Sequence, residues 1–80
     1  MTIEQIRQLH SARPFLPFTL KLADGNKFTI SHPELMAVSR GGRVVHVVTE
    51  RDTMEHIDLL LVTSVEEHTR STGNGRRKAG

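Results

Sequence analysis

The sequence predicts one small α+β domain, in which an N-terminal helix packs on a small antiparallel, curled or barrel-like sheet of four to five strands. Three observations lead there. Apolar residues first recur at helical spacing, then switch to strict alternation in short runs parted by turn residues, and a chain of 80 residues has room for a single core.

Thr2 and Gln5 have capping-box spacing, and Ile3, Ile6 and Leu9 share one face while Glu4, Arg7 and Gln8 point away. A helix from Ile3 to Ser11 follows. Pro14 and Pro17 then hold Pro14-Phe15-Leu16-Pro17-Phe18 extended, and the two phenylalanines are expected to cement the helix onto the sheet rather than to line a peptide-docking groove.

From Phe18 the period is two. Phe18, Leu20 and Leu22 alternate with Thr19, Lys21 and Ala23, and beyond a turn Phe28 and Ile30 alternate with Lys27, Thr29 and Ser31. A two-residue Asp24-Gly25 loop would set Leu22 opposite Lys27, mixing apolar and polar residues on one face. A three-residue loop, Ala23-Asp24-Gly25, pairs Leu20 with Phe28 and Phe18 with Ile30, and needs Gly25 at positive φ.

Ser31 and Glu34 repeat the capping-box spacing around Pro33, which predicts a short helical turn through Leu35 and Met36 before the loop Ser39-Arg-Gly-Gly-Arg43. Val44-Val-His-Val-Val48 is β-branched enough to be a third strand, and Glu50 to Thr53 is a charged turn. His56 to Val65 is apolar on both faces and reads as a central fourth strand. The expected core is Ile6, Leu9, Phe18, Leu20, Phe28, Ile30, Val47, Leu59 and Leu61.

Charge divides the chain in two. Up to His68 seven basic residues face nine acidic ones, a net of minus two, and Arg70, Arg76, Arg77 and Lys78 bring the whole to +2. Residues 69–80 have no large apolar side chain to bury and three glycines to loosen them, so a folded domain over residues 1–68 and a disordered basic tail over 69–80 are expected. The absence of cysteine excludes a disulfide scaffold, a thiolate nucleophile and a thiolate-ligated metal. The longest apolar run, Leu59 to Val62, falls far short of the roughly 20 residues of a spanning helix, and Met1 to His10 lacks the apolar stretch of a signal peptide. No membrane association is expected, and a cytoplasmic location is the default.

Residues with chemistry are sparse. None of the five histidines forms a compact metal motif; His46 and His56 are the one pair a hairpin could join, and only if the loop between their strands has an odd number of residues. Two solvent-facing strand histidines are the expected case, so no metal ligand and no cofactor is assigned. His32, beside Pro33, is expected to donate a local hydrogen bond, and Glu66-Glu67 to be a solvated strand end. No serine sits in a nucleophile-positioning turn, and Ser39-Arg-Gly-Gly-Arg43 lacks the phosphate-loop pattern and leads into a strand, so no catalytic residue is assigned either.

The strings Ala12-Arg-Pro-Phe-Leu-Pro-Phe18, Leu22-Ala-Asp-Gly25, His32-Pro-Glu34 and Asp58-Leu-Leu-Leu-Val-Thr-Ser64 together resemble a family of short uncharacterised bacterial proteins that share this order of motifs. The resemblance spans residues 2–66 and implies the order of elements; it carries no activity and no site residue.

The expectation is therefore a non-catalytic interaction or regulatory module that meets another protein or a second copy of itself. The alternative is nucleic-acid binding, RNA in particular, by a small barrel-like domain through Lys21, Lys27, Arg40, Arg43, Arg76, Arg77 and Lys78. Against the alternative stand the acidic body and the lack of Tyr or Trp for base stacking.

Overall fold

The computed structural model describes residues 2–68, one helix and six short strands. Helix α1 spans Ile3–Ser11 and starts on the full capping box: the Gln5 N–H donates to Thr2 Oγ1, and Gln5 Oε1 accepts the Thr2 N–H. Ile6 is wholly buried, and Ile3 and Leu9 pack beside it on the same face. The connector bends at Arg13 and Pro14, which are joined by a cis peptide bond, and forms no helix or strand before Phe18. Phe15 stacks at a tilt on Phe18 with centroids 5.8 Å apart, and His10 Nε2 bonds the Pro33 carbonyl at 2.8 Å, so the C-terminal end of the helix is tied to the body.

The first sheet has the order β2-β1-β6, with β1 Phe18–Leu22, β2 Lys27–Ile30 and β6 Val62–Glu67, all antiparallel. The parity argument holds: Phe18 faces Ile30, Leu20 faces Phe28, and Gly25 has φ +92°. The Gly25 N–H closes the turn on the Leu22 carbonyl at 3.0 Å, and Asp24 Oδ1 accepts the Asn26 N–H. The second sheet has the order β3-β4-β5, with β3 Met36–Val38, β4 Val44–Val48 and β5 Met54–Asp58. Its β4-β5 hairpin repeats the geometry of the first. The Asp52 N–H donates to the Thr49 carbonyl at 2.9 Å, and Asp52 takes the left-handed conformation at φ +64°. Asp tolerates that region and β-branched residues do not, so Asp52→Val is expected to destabilise by about 1–2 kcal/mol while Asp52→Gly stays near neutral in thermal unfolding.

The expected sheet and its corners are corrected. A single sheet of four to five strands, closed or barrel-like, is replaced by two open three-stranded sheets that share no strand pair among the described residues. The reason lies at two corners, where the single-turn 3-10 helices Pro33–Leu35 and Leu59–Leu61 interrupt the ladder and carry the chain from one sheet to the other. The fourth strand expected from His56 to Val65 is cut by the second of these, so β5 and β6 are edges of different sheets rather than one central strand. The helical turn expected through Met36 ends at Leu35, without a bond from the Ser31 side chain, and Met36 opens β3 instead. His32 caps that turn only through its backbone carbonyl, which accepts the Leu35 N–H.

One core joins all layers. Ile6, Phe18, Leu20, Ile30 and Val62 meet Met36, Val45, Val47 and Ile57 from the second sheet, with Leu9, Phe28 and Leu59 partly buried around them. Leu61, expected in this core, is instead half exposed on the second 3-10 turn.

Candidate functional site

The second 3-10 turn is built to hold its backbone still. Asp58 Oδ1 accepts the Leu60 N–H at 2.9 Å, the Leu59 N–H donates to the Arg43 carbonyl, and the Leu61 carbonyl accepts the Ala23 N–H, both at 2.9 Å. Beyond the turn β6 carries a bulge at Thr63, whose hydroxyl donates to the Lys21 carbonyl at 3.1 Å. Leu59 turns inward against the core, and this leaves Leu60 89% and Leu61 51% exposed. The result is a pair of leucines displayed on a fixed corner between the open edges of β5 and β6. The sequence predicts Leu61 in the core and Leu60 on the second face of a central strand, and the structure places neither there. The signal that could have found them is Asp58, a poor strand residue but a good acceptor for the first N–H groups of a turn.

Among the described residues, the basic side chains read from the sequence are divided between the two sheets. Lys21 and Lys27 stand directly opposite each other on the polar face of the first sheet, where Lys21 Nζ lies 3.2 Å from Glu66 Oε1. That hydrogen bond first, then the Lys21 charge, with smaller help from His68 and Lys27, holds the Glu66 carboxyl below its ordinary value of 4.5. Both partners are exposed, so the pair contributes little to stability. What it offers is present at neutral pH and fades as acid protonates Glu66, the direction a depressed carboxyl requires. Arg40 and Arg43 lie in the β3-β4 loop of the second sheet, held by the Ser39 hydroxyl and the Gly42 turn. Arg76, Arg77 and Lys78, with the whole expected tail, lie outside the described residues. A shallow groove between β2 and the β4-β5 loop is lined by Lys27, Arg51 and Glu50 along with Phe28, Thr29 and Val47, so its charge is mixed.

Two polar clusters appear that sequence reasoning did not assign. Thr19, 5% exposed, shares hydrogen bonds with the exposed Thr29 Oγ1 at 2.9 Å and His68 Nε2 at 2.6 Å, a part-buried network that ties the end of β6 to β1 and β2. On the outer face of the second sheet His46 and His56 are cross-strand partners, their Nδ1 atoms 2.7 Å apart. The odd loop that this pairing requires, Glu50-Arg51-Asp52, is present. No group of three or more histidine and carboxylate side chains suited to a metal occurs among the described residues, nor does any helix there have the length and apolarity to cross a membrane. Comparison with family models, curated proteins and solved structures found no match.

Proposed function

We propose that this chain is a non-catalytic interaction module that binds another protein, or a second copy of itself, through Leu60, Leu61 and the strand edges beside them. The observation that carries the reading is the 89% exposure of Leu60 on a turn whose backbone is fixed by hydrogen bonds. A leucine left 89% exposed adds little to folding. Covered by a partner, it is worth about 1.5–3 kcal/mol, or roughly ten- to hundredfold in affinity. The open edges of β5 and β6 offer main-chain donors and acceptors to an added strand, so apolar anchoring and strand pairing can act together. Mixed charge in the groove and the Glu66 partner on Lys21 favour a protein surface over a phosphate backbone.

The test is a variant that leaves the fold alone. Leu60→Ser with Leu61→Ser is expected to melt within a few degrees of the parent, because neither side chain is buried in the core. It is also expected to lose roughly tenfold or more in partner affinity, read by sedimentation for self-association and by site-specific cross-linking from position 60 for another protein. Nucleic-acid binding predicts a different pattern: affinity that falls steeply between about 50 and 200 mM salt and depends on Arg76, Arg77 and Lys78. Sequence-selective RNA binding at 150 mM salt, indifferent to the two serine substitutions, would overturn the proposal.

A further inference from the structure

His46 and His56 occupy the centre of the outer face of the second sheet. The inward residues of β4 and β5 are Val45, Val47 and Ile57, which leaves the two imidazoles side by side above the opposite face. Their rings meet edge to face with centroids 4.9 Å apart, and the two Nδ1 atoms are 2.7 Å from each other. At that distance one Nδ1 must carry the proton and the other must accept it. The pair therefore has one proton shared between two nitrogen atoms that both face the same point.

We infer that this pair is an open two-histidine site for a borderline transition-metal ion such as Zn²⁺, Ni²⁺ or Cu²⁺. Two imidazole nitrogens each about 2.1 Å from one ion, at angles between square and tetrahedral, stand about 3.0–3.4 Å apart. Only a few tenths of an ångström separate the observed pair from that spacing, and ring rotation supplies it because both side chains reach solvent. The proton moves from Nδ1 to Nε2 of the same neutral ring, so both Nδ1 lone pairs become free without changing the charge of either histidine. The strand partner on the far side of His46 is Ala37, whose methyl group is too short to cover the imidazole.

The neighbours define what kind of site this is. Among the described residues no third histidine or carboxylate is placed to join the pair, Asp58 being two residues from His56 with Oδ1 turned to the Leu60 N–H, and the strand neighbours Val44 and Val48 bring no donor atom. The remaining positions on the ion fall to water, which makes the site open rather than a closed structural centre. Half the ligand count of a structural zinc site places the dissociation constant in roughly the micromolar to hundred-micromolar range, with Cu²⁺ held most tightly. Hard cations such as Mg²⁺ prefer oxygen and should not compete. The inference is independent of the Leu60–Leu61 surface, which lies on a different element.

The experiment is a titration of the full chain with ZnCl2, NiCl2 and CuCl2 in a buffer that does not bind metals, followed by calorimetry and by the imidazole resonances. One ion per chain is expected, with His46 and His56 signals shifted or broadened first and no response to MgCl2. His46→Ala and His56→Ala should each lower affinity at least tenfold, whereas His32→Ala should leave it unchanged. Thermal unfolding without metal checks that the alanine variants fold, which both should, since the rings lie outside the core. Absence of saturable binding below 1 mM, or binding that persists in the double alanine variant, would overturn the assignment.

Discussion

Phe18→Ala is expected to cost about 3–5 kcal/mol, the largest effect of any single substitution in this chain. Phe18 is wholly buried, and it sits in β1, the one strand of the first sheet that pairs on both sides. Its ring touches Phe15 of the connector and its strand position faces Ile30, so truncation leaves a cavity where connector, sheet and core meet. A domain of this size has roughly 5–15 kcal/mol of stability in all, so a large share of that stability should be lost. Denaturant unfolding of Phe18→Ala beside Leu60→Ala gives the contrast, because the exposed Leu60 should change stability by less than about 0.5 kcal/mol. A cost under about 1.5 kcal/mol at Phe18 would mean that the core closes around the loss. Phe18→Leu, which keeps most of the volume, should retain enough structure to measure if the alanine variant does not fold.

Gly42→Val should be the second largest, at about 2–4 kcal/mol, because two penalties fall on one residue. Gly42 has φ +72°, where a β-branched residue is strained, and a Cβ there would lie 3.2 Å from Ile3 Cγ1 at the start of α1. Gly25 separates the two effects. It has φ +92° with nothing within 4 Å of the position a Cβ would take, so Gly25→Ala should show the backbone cost alone, about 1 kcal/mol. Steric coupling through Ile3 can be read directly: Ile3→Ala combined with Gly42→Val should cost less than the sum of the two single changes, by about 0.5 kcal/mol or more. Strict additivity would show that the loop shifts away from the helix instead of pressing on it.

The helix and the first hairpin were legible because their rules are local. Thr2 and Gln5 cap α1 through bonds spanning three residues, and the register of β1 against β2 follows from keeping Phe18, Leu20, Phe28 and Ile30 on one face. The same parity rule stated the condition under which His46 would meet His56, and the loop that decides it is short. The segment from Asp58 onward was not legible in this way. Leu59-Leu60-Leu61-Val62 has no period, so helix, buried strand and exposed corner are equally compatible with it, and the deciding bonds run to Arg43 and Ala23, far away in the chain. Met36–Val38 is as short as a strand can be and is recognised only by its partner Val45–Val47.

By itself, then, the amino-acid order determined the helix and its cap, the two-fold alternation of β1 and β2, the β-branched run of β4, the positive φ at Gly25, and the division of charge between residues 1–68 and 69–80. All of these depend on neighbours within about ten residues, where geometry leaves one low-energy choice. Only the tertiary structure decided that the strands divide into two sheets, that β5 and β6 are edges, that Leu60 faces solvent while Leu59 faces the core, and that Lys21 meets Glu66 rather than a basic neighbour from another loop. Those outcomes rest on contacts between distant segments, whose free energy comes from filling one shared core and satisfying the backbone at its two corners, and neither condition is written in a local pattern.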